Sequence, residues 1–84
     1  ADIAVDRMER VAAEIRAAGG EAITVPTDVA DPAALDRLAA TVHERLGDVR
    51  LLMNNAGIEI LGLTWELPTE VWERAIRINV LGVI

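Results

Sequence analysis

The run Leu51-Leu52-Met53-Asn54-Asn55-Ala56-Gly57 constrains the fold more than any other feature of this chain. Its first three residues are apolar without alternation, so they read as a strand buried on both faces rather than one with a wet side. Strands of that kind belong to parallel sheets covered by helices. In open α/β sheets of this type, ligands bind where the strands run out at their carboxyl ends. Two adjacent amides and a glycine at that point are therefore candidate site chemistry as well as turn punctuation.

The rest of the chain supplies helices and a second strand. Asp6 and Glu9 have the spacing of a capping box, and Met8, Val11, Ala12, Ile15 and Ala18 follow at helical spacing until Gly19-Gly20 stops the helix. Glu21 to Thr27 is a short β-branched segment containing Pro26, which cannot donate to a ladder and so places the strand at a sheet edge. Asp31-Pro32 is an N-cap followed by a proline at the first helical position, and Leu35, Leu38, Ala39, Val42 and Leu46 share one face that ends at Gly47. The strand Val49 to Asn54 comes next, then an irregular apolar loop from Ile58 to Leu67. A last helix starts near Thr69 with Trp72, Ala75, Ile76, Asn79, Val80 and Val83 facing one way. Helix, strand, helix, strand, helix predicts right-handed crossovers and a parallel sheet in a single domain over 1–84. Ala1-Asp2-Ile3 reads as the end of a further strand.

Composition narrows the function classes. A formal charge of −6 argues against nucleic acid, whose affinity comes from Lys and Arg on phosphates, and an acidic surface also repels anionic membrane. No apolar run approaches the roughly 20 residues of a membrane helix, and the first residues lack the basic start of a signal peptide, so the expected location is cytoplasmic. With no Cys and a single His, thiolate chemistry is excluded and no metal site is expected. His43 reads as a surface histidine, and Glu70, Glu73, Arg74 and Arg77 as a solvated helix face with i,i+4 pairs. Trp72 reads as a packing anchor, and Trp65 either lines a substrate cleft or meets another subunit.

Four elements in order and in register now carry a resemblance: the acidic Asp2 ending a strand, Asp28-Val29 after the next, Asn54-Asn55-Ala56-Gly57 after the third in view, and Asn79 in the helix that follows. The chain resembles the middle of a classical short-chain dehydrogenase/reductase over essentially all its length. The resemblance implies an α/β fold, part of a Rossmann-type doubly wound parallel sheet from the end of the second strand to the helix after the fourth. It also implies an oxidoreductase that moves a hydride between a nicotinamide cofactor and an alcohol or ketone. A non-catalytic cofactor-binding or regulatory protein of the same fold is the alternative, because nearly every residue in view serves binding or architecture. The family commonly forms homo-tetramers or homo-dimers.

In that reading Asp2, with Ile3 beside it, accepts the ribose hydroxyls of adenosine and repels a 2′-phosphate, which favours NAD over NADP. Asp28 accepts from the adenine amino group while Val29 lies against the ring. Asn55, Ala56 and Gly57 wall the cofactor pocket. Asn79 is the catalytic candidate: in the family this asparagine joins a serine, a tyrosine and a lysine, and holds a water in the proton relay. The competing reading, less favoured at each position, makes Asp2 and Asp28 turn residues ahead of helices and Asn79 a satisfied asparagine on an apolar face. Asp31 is assigned to capping.

The family's glycine-rich turn has no counterpart in this sequence, nor does it contain any Tyr, or any Lys after Asn79. The chain is therefore expected to be a fragment that is inactive alone. In the order 3-2-1-4 its two complete strands are not neighbours, and at about 4.8 Å per strand roughly 14 Å would separate them.

Overall fold

Three helices make up most of the regular structure, and each has its own reason for starting and stopping. A computed structural model describes all of residues 1–84. Helix α1 spans Val5–Ala17, α2 Pro32–Leu46 and α3 Thr69–Asn79, followed by a single 3-10 turn at Leu81–Val83.

The start of α2 follows from two residues. The Asp31 carboxylate accepts from the Ala33 N–H at 3.0 Å, and Pro32 occupies the first helical position, where its missing N–H leaves nothing unsatisfied. Its end follows from Gly47 at φ +83, in the left-handed region that a side chain would resist. At the end of α1 the Gly20 N–H reaches the Ile15 carbonyl and the Gly19 N–H reaches that of Arg16, with Gly19 at φ +89. This is a Schellman closure, and it needs the glycine.

The N-terminus of α1 corrects the expected capping box. Asp6 lies inside the first turn, Ala4 occupies the cap position, and no side chain caps the helix. Glu9 turns away because a stronger partner is near: Thr24 Oγ1 donates to Glu9 Oε1, while Arg16 donates to the Ala22 carbonyl at 2.8 and 3.1 Å and approaches Glu9 at 4.0 Å. That polar seam fastens α1 to residues 22–24. The i,i+4 pairs expected from Glu70 to Arg74 and Glu73 to Arg77 do not form either, since the ion pairs present are Arg16–Glu9 and Arg37–Asp31. Both residues of each expected pair are solvent-exposed, where such contacts gain little.

The two expected strands are the larger correction. Neither Glu21–Thr27 nor Val49–Asn54 forms a ladder, and the only β pairing is an isolated parallel bridge between Asp2 and Pro26, with Thr27 N–H donating to the Asp2 carbonyl at 3.1 Å. A strand exists only through its partners, and no segment of these residues lies alongside Val49–Asn54. Leu51, Leu52 and Met53, read from sequence as buried, are accordingly 74–79% exposed.

What is buried is small: Ala12 on α1, Ala34 on α2, Ala75 on α3 and Thr27 beside the bridge, whose hydroxyl donates to the Val25 carbonyl. Each helix thus presents one alanine to the interior, and Leu35, Leu38 and Val42 of α2 face an open hollow together with Leu51, Leu52 and Met53.

Candidate functional site

That hollow has a volume of about 890 Å³ and lies between the apolar face of α2, the segment Val49–Ile58, the Asp2–Pro26 bridge and the end of α3. Asp2, Ile3, Asp28, Val29, Asn55, Ala56 and Gly57 all line it. Residues from three separate stretches, singled out from sequence for one binding task, therefore meet at one surface.

Local turns set the two acidic groups. Asp2 Oδ1 accepts from the Ala4 N–H at 2.8 Å, which leads the chain into α1, and Oδ2 makes no hydrogen bond within the chain. Asp28 Oδ1 does the same for the Ala30 N–H at 2.9 Å, with Asp31 N–H closing the turn on the Asp28 carbonyl at 3.0 Å. Both carboxylates thus combine the turn work that sequence left open with an oxygen free for a donor on a ligand. The parallel bridge holds the two ends side by side.

Asn79 is fixed differently. It is solvent-exposed, yet its amide makes both of its hydrogen bonds with one residue: Oδ1 accepts from the Ile58 N–H and Nδ2 donates to the Ile58 carbonyl, each at 2.8 Å. This two-bond ring copies the way paired strands exchange N–H and C=O. A Cβ on Gly57 would stand 3.4 Å from Asn79 Oδ1, an ordinary contact, so the asparagine also packs on the glycine of the site run. Asn79 itself does not line the hollow; Ile58, which it grips, does. Asn54 makes a second long tie, from Nδ2 to the Val83 carbonyl at 3.4 Å.

Sequence reasoning missed several lining residues, among them Arg7, Thr27, Arg74, Ile78 and Gly82. Ile78 and Arg74 lie one helical turn apart on α3, a spacing visible in the sequence but hidden behind the stripe assigned to Trp72 and Ile76. His43, read as a surface residue, is exposed and borders the hollow at its α2 side.

The set can hold an adenosine: two carboxylate oxygens for hydroxyl or amino donors, the half-buried Val29 for an apolar ring, and small residues at Ala56 and Gly57 for close approach. It offers no cluster of His, Cys, Asp and Glu side chains that could hold a metal ion. The sequence has no glycine-rich turn to present backbone N–H groups to a pyrophosphate, so the fit to a dinucleotide is a fit to its adenosine half.

Comparison with known proteins agrees with the order of the motifs. The short chain dehydrogenase family model matches residues 1–84. The chain is 35% identical over 78 residues to 2,3-dihydro-2,3-dihydroxybenzoate dehydrogenase of Bacillus subtilis (strain 168), covering 93% of this chain and 30% of that protein. It is 37% identical over 83 residues to 1-deoxy-11-beta-hydroxypentalenate dehydrogenase of Streptomyces exfoliatus, covering 94% and 30% respectively. It is 33% identical over 84 residues to meso-2,3-butanediol dehydrogenase of Serratia marcescens, covering 100% and 33%. The chain belongs to the short-chain dehydrogenase/reductase family, whose fold is of the Rossmann type, and it spans about a third of the length of the curated relatives it matches.

Proposed function

We propose that these residues form the adenosine-binding part of an NAD-dependent oxidoreductase acting on a small alcohol or carbonyl compound. The observation that carries the reading is the convergence of Asp2, Asp28-Val29 and Asn55-Ala56-Gly57 on one hollow, in a chain whose family relatives are named dehydrogenases and reductases.

The sheet in this reading is doubly wound in the order 3-2-1-4. Support comes from the Asp2–Pro26 bridge, which is parallel and joins the ends of the second and third strands as that order requires. The apolar part of the hollow, between that bridge and Leu51–Met53, is the seat of the first strand. The polar rim at Asp2, Asp28 and Gly57 receives adenosine.

Roles then follow from chemistry. Asp2 Oδ2 accepts from a ribose hydroxyl and its charge repels a 2′-phosphate, so NAD is preferred to NADP. Asp28 Oδ2 accepts from the adenine amino group, and Val29 covers the ring. When bound, the nicotinamide end of the cofactor supplies or takes the hydride; the proton at the substrate oxygen needs an acid–base group that Asn79 cannot be. With both polar atoms of its amide engaged by Ile58, Asn79 serves the active site by fixing the wall at Gly57-Ile58.

We place the whole enzyme in the cytoplasm as a homo-dimer or homo-tetramer. No helix of the structure is long and apolar enough to cross a membrane.

The test is a titration of the whole protein with NADH and NADPH, followed by an alcohol and ketone panel scored by NADH absorbance. Tighter binding of NADH with turnover of at least one substrate is the expected outcome. Binding without turnover on any substrate selects the alternative, a non-catalytic cofactor-binding protein. No binding at all removes both.

A further inference from the structure

At one side of the hollow two chain segments meet with no room for a side chain between them. Gly82, in the turn Leu81–Val83, faces Val29: a Cβ built on the glycine would stand 2.9 Å from Val29 Cγ2, 3.0 Å from its Cβ and 3.1 Å from its carbonyl oxygen. Real Cβ atoms do not sit that close. The obstacle is not the tip of a flexible chain, because valine is stiff about χ1 and the carbonyl is backbone.

The glycine is there for space and not for conformation. Positive φ occurs at Gly19, Gly47 and Gly62, and Gly82 is not among them. The turn that carries it is also pinned, by Val83 N–H on the Val80 carbonyl at 3.3 Å and by Asn54 Nδ2 on the Val83 carbonyl at 3.4 Å. An added methyl group therefore has to be absorbed on the Val29 side. Val29 and Gly82 both line the hollow, next to Asp28.

We propose that Gly82 is a positioning residue for the adenine end of the cofactor: its bare Cα lets the turn after α3 close on Val29 and sets where the Val29 side chain stands in the wall of the hollow. The inference rests on the cofactor reading above, which puts Val29 against the adenine ring. It makes the closing turn of α3, only three residues beyond Asn79, part of the adenosine site.

The test uses the whole protein and two probes, NADH and ADP-ribose, measured by calorimetry on the unmodified protein, Gly82→Ala, Val29→Ala and the double variant. Overpacking at Gly82 should weaken both probes by about tenfold or more. The double variant should bind both more tightly than Gly82→Ala but less tightly than the unmodified protein, because it removes Val29 Cγ2, the nearest of the three atoms, and leaves the Cβ and the carbonyl oxygen in place. A loss of stability without that rescue is what a purely architectural glycine would give. If Gly82→Ala binds ADP-ribose as the unmodified protein does, or if Val29→Ala leaves its defect unchanged, the inference is overturned while the cofactor reading stands. Should Gly82→Ala fail to fold, recovery of a folded, ADP-ribose-binding double variant supports the contact, and its failure to recover overturns it. An unmodified protein that binds neither probe overturns the cofactor reading and this inference with it.

Discussion

Asp2 spends one carboxylate oxygen on the Ala4 N–H and keeps the other, which is what a ribose-binding acid needs. Beside it Ile3 is 68% exposed, so a long basic side chain can replace it without disturbing packing. Asp2→Ala with Ile3→Arg in the whole protein should therefore weaken NAD and strengthen NADP binding, because a guanidinium meets a 2′-phosphate with paired donors. Dissociation constants for the two cofactors check it, and an unmodified protein that already prefers NADP would refute the role given to Asp2. Asn79 permits a sharper experiment. Asn79→Asp retains an acceptor for the Ile58 N–H but loses the donor to the Ile58 carbonyl, and Asn79→Leu loses both. Stability should fall by about 0.5 kcal/mol for the first change and about 1 kcal/mol for the second, the net worth of hydrogen bonds whose groups water can reach. Urea unfolding of the whole protein reads the order, and equal effects would mean that the ring with Ile58 does not persist in solution.

The second helix is the element whose bounds could be read directly, since Asp31-Pro32 opens it and Gly47 closes it through local chemistry. Asp31→Ala should cost about 1 kcal/mol, the usual worth of an N-cap, while Asp31→Asn should cost much less because its side-chain oxygen still accepts from Ala33. The exposed pair with Arg37 at 3.4 Å adds little to that figure. Equal losses in the two variants, measured by denaturant midpoint on the whole protein, would assign the effect to charge and not to capping. The first helix was less legible for a physical reason. Asp6 and Glu9 have capping-box spacing, but Thr24 competes for Glu9 from across the fold, and no local pattern reports a competitor. The same holds more strongly for the strands. Val49 to Asn54 carries a strand's composition, yet a ladder is a property of two segments, and the partner of this one is not written nearby. The turns at Asp2 and Asp28 follow from local chemistry, whereas the approach of Gly82 to Val29 joins residues 53 apart in the chain and has no local signal.

At the scale of the whole molecule, the measures of compactness agree. The radius of gyration is 15.4 Å, where a compact chain of this length would have about 12 Å. The accessible surface is 6780 Å², against about 4,900 Å² expected for a folded monomer of this mass. The roughly 1,900 Å² of excess is not spread evenly. It includes Leu51, Leu52 and Met53, together with Val11 and Ile15 on α1, all of them sequence positions that read as buried. Only four residues are buried, three of them alanines, so the burial that normally offsets chain entropy is missing. The sequence has no glycine-rich turn to meet the pyrophosphate, the most charged part of a dinucleotide. These 84 residues expressed alone should accordingly unfold without a cooperative transition, bind a hydrophobic dye, and show no saturable affinity for NADH. Calorimetry with and without NADH measures both properties in one experiment. A sharp endotherm that NADH moves upward would mean that the helices close on one another in a way that fills the hollow unaided, and that the proposed seat for a further strand is wrong.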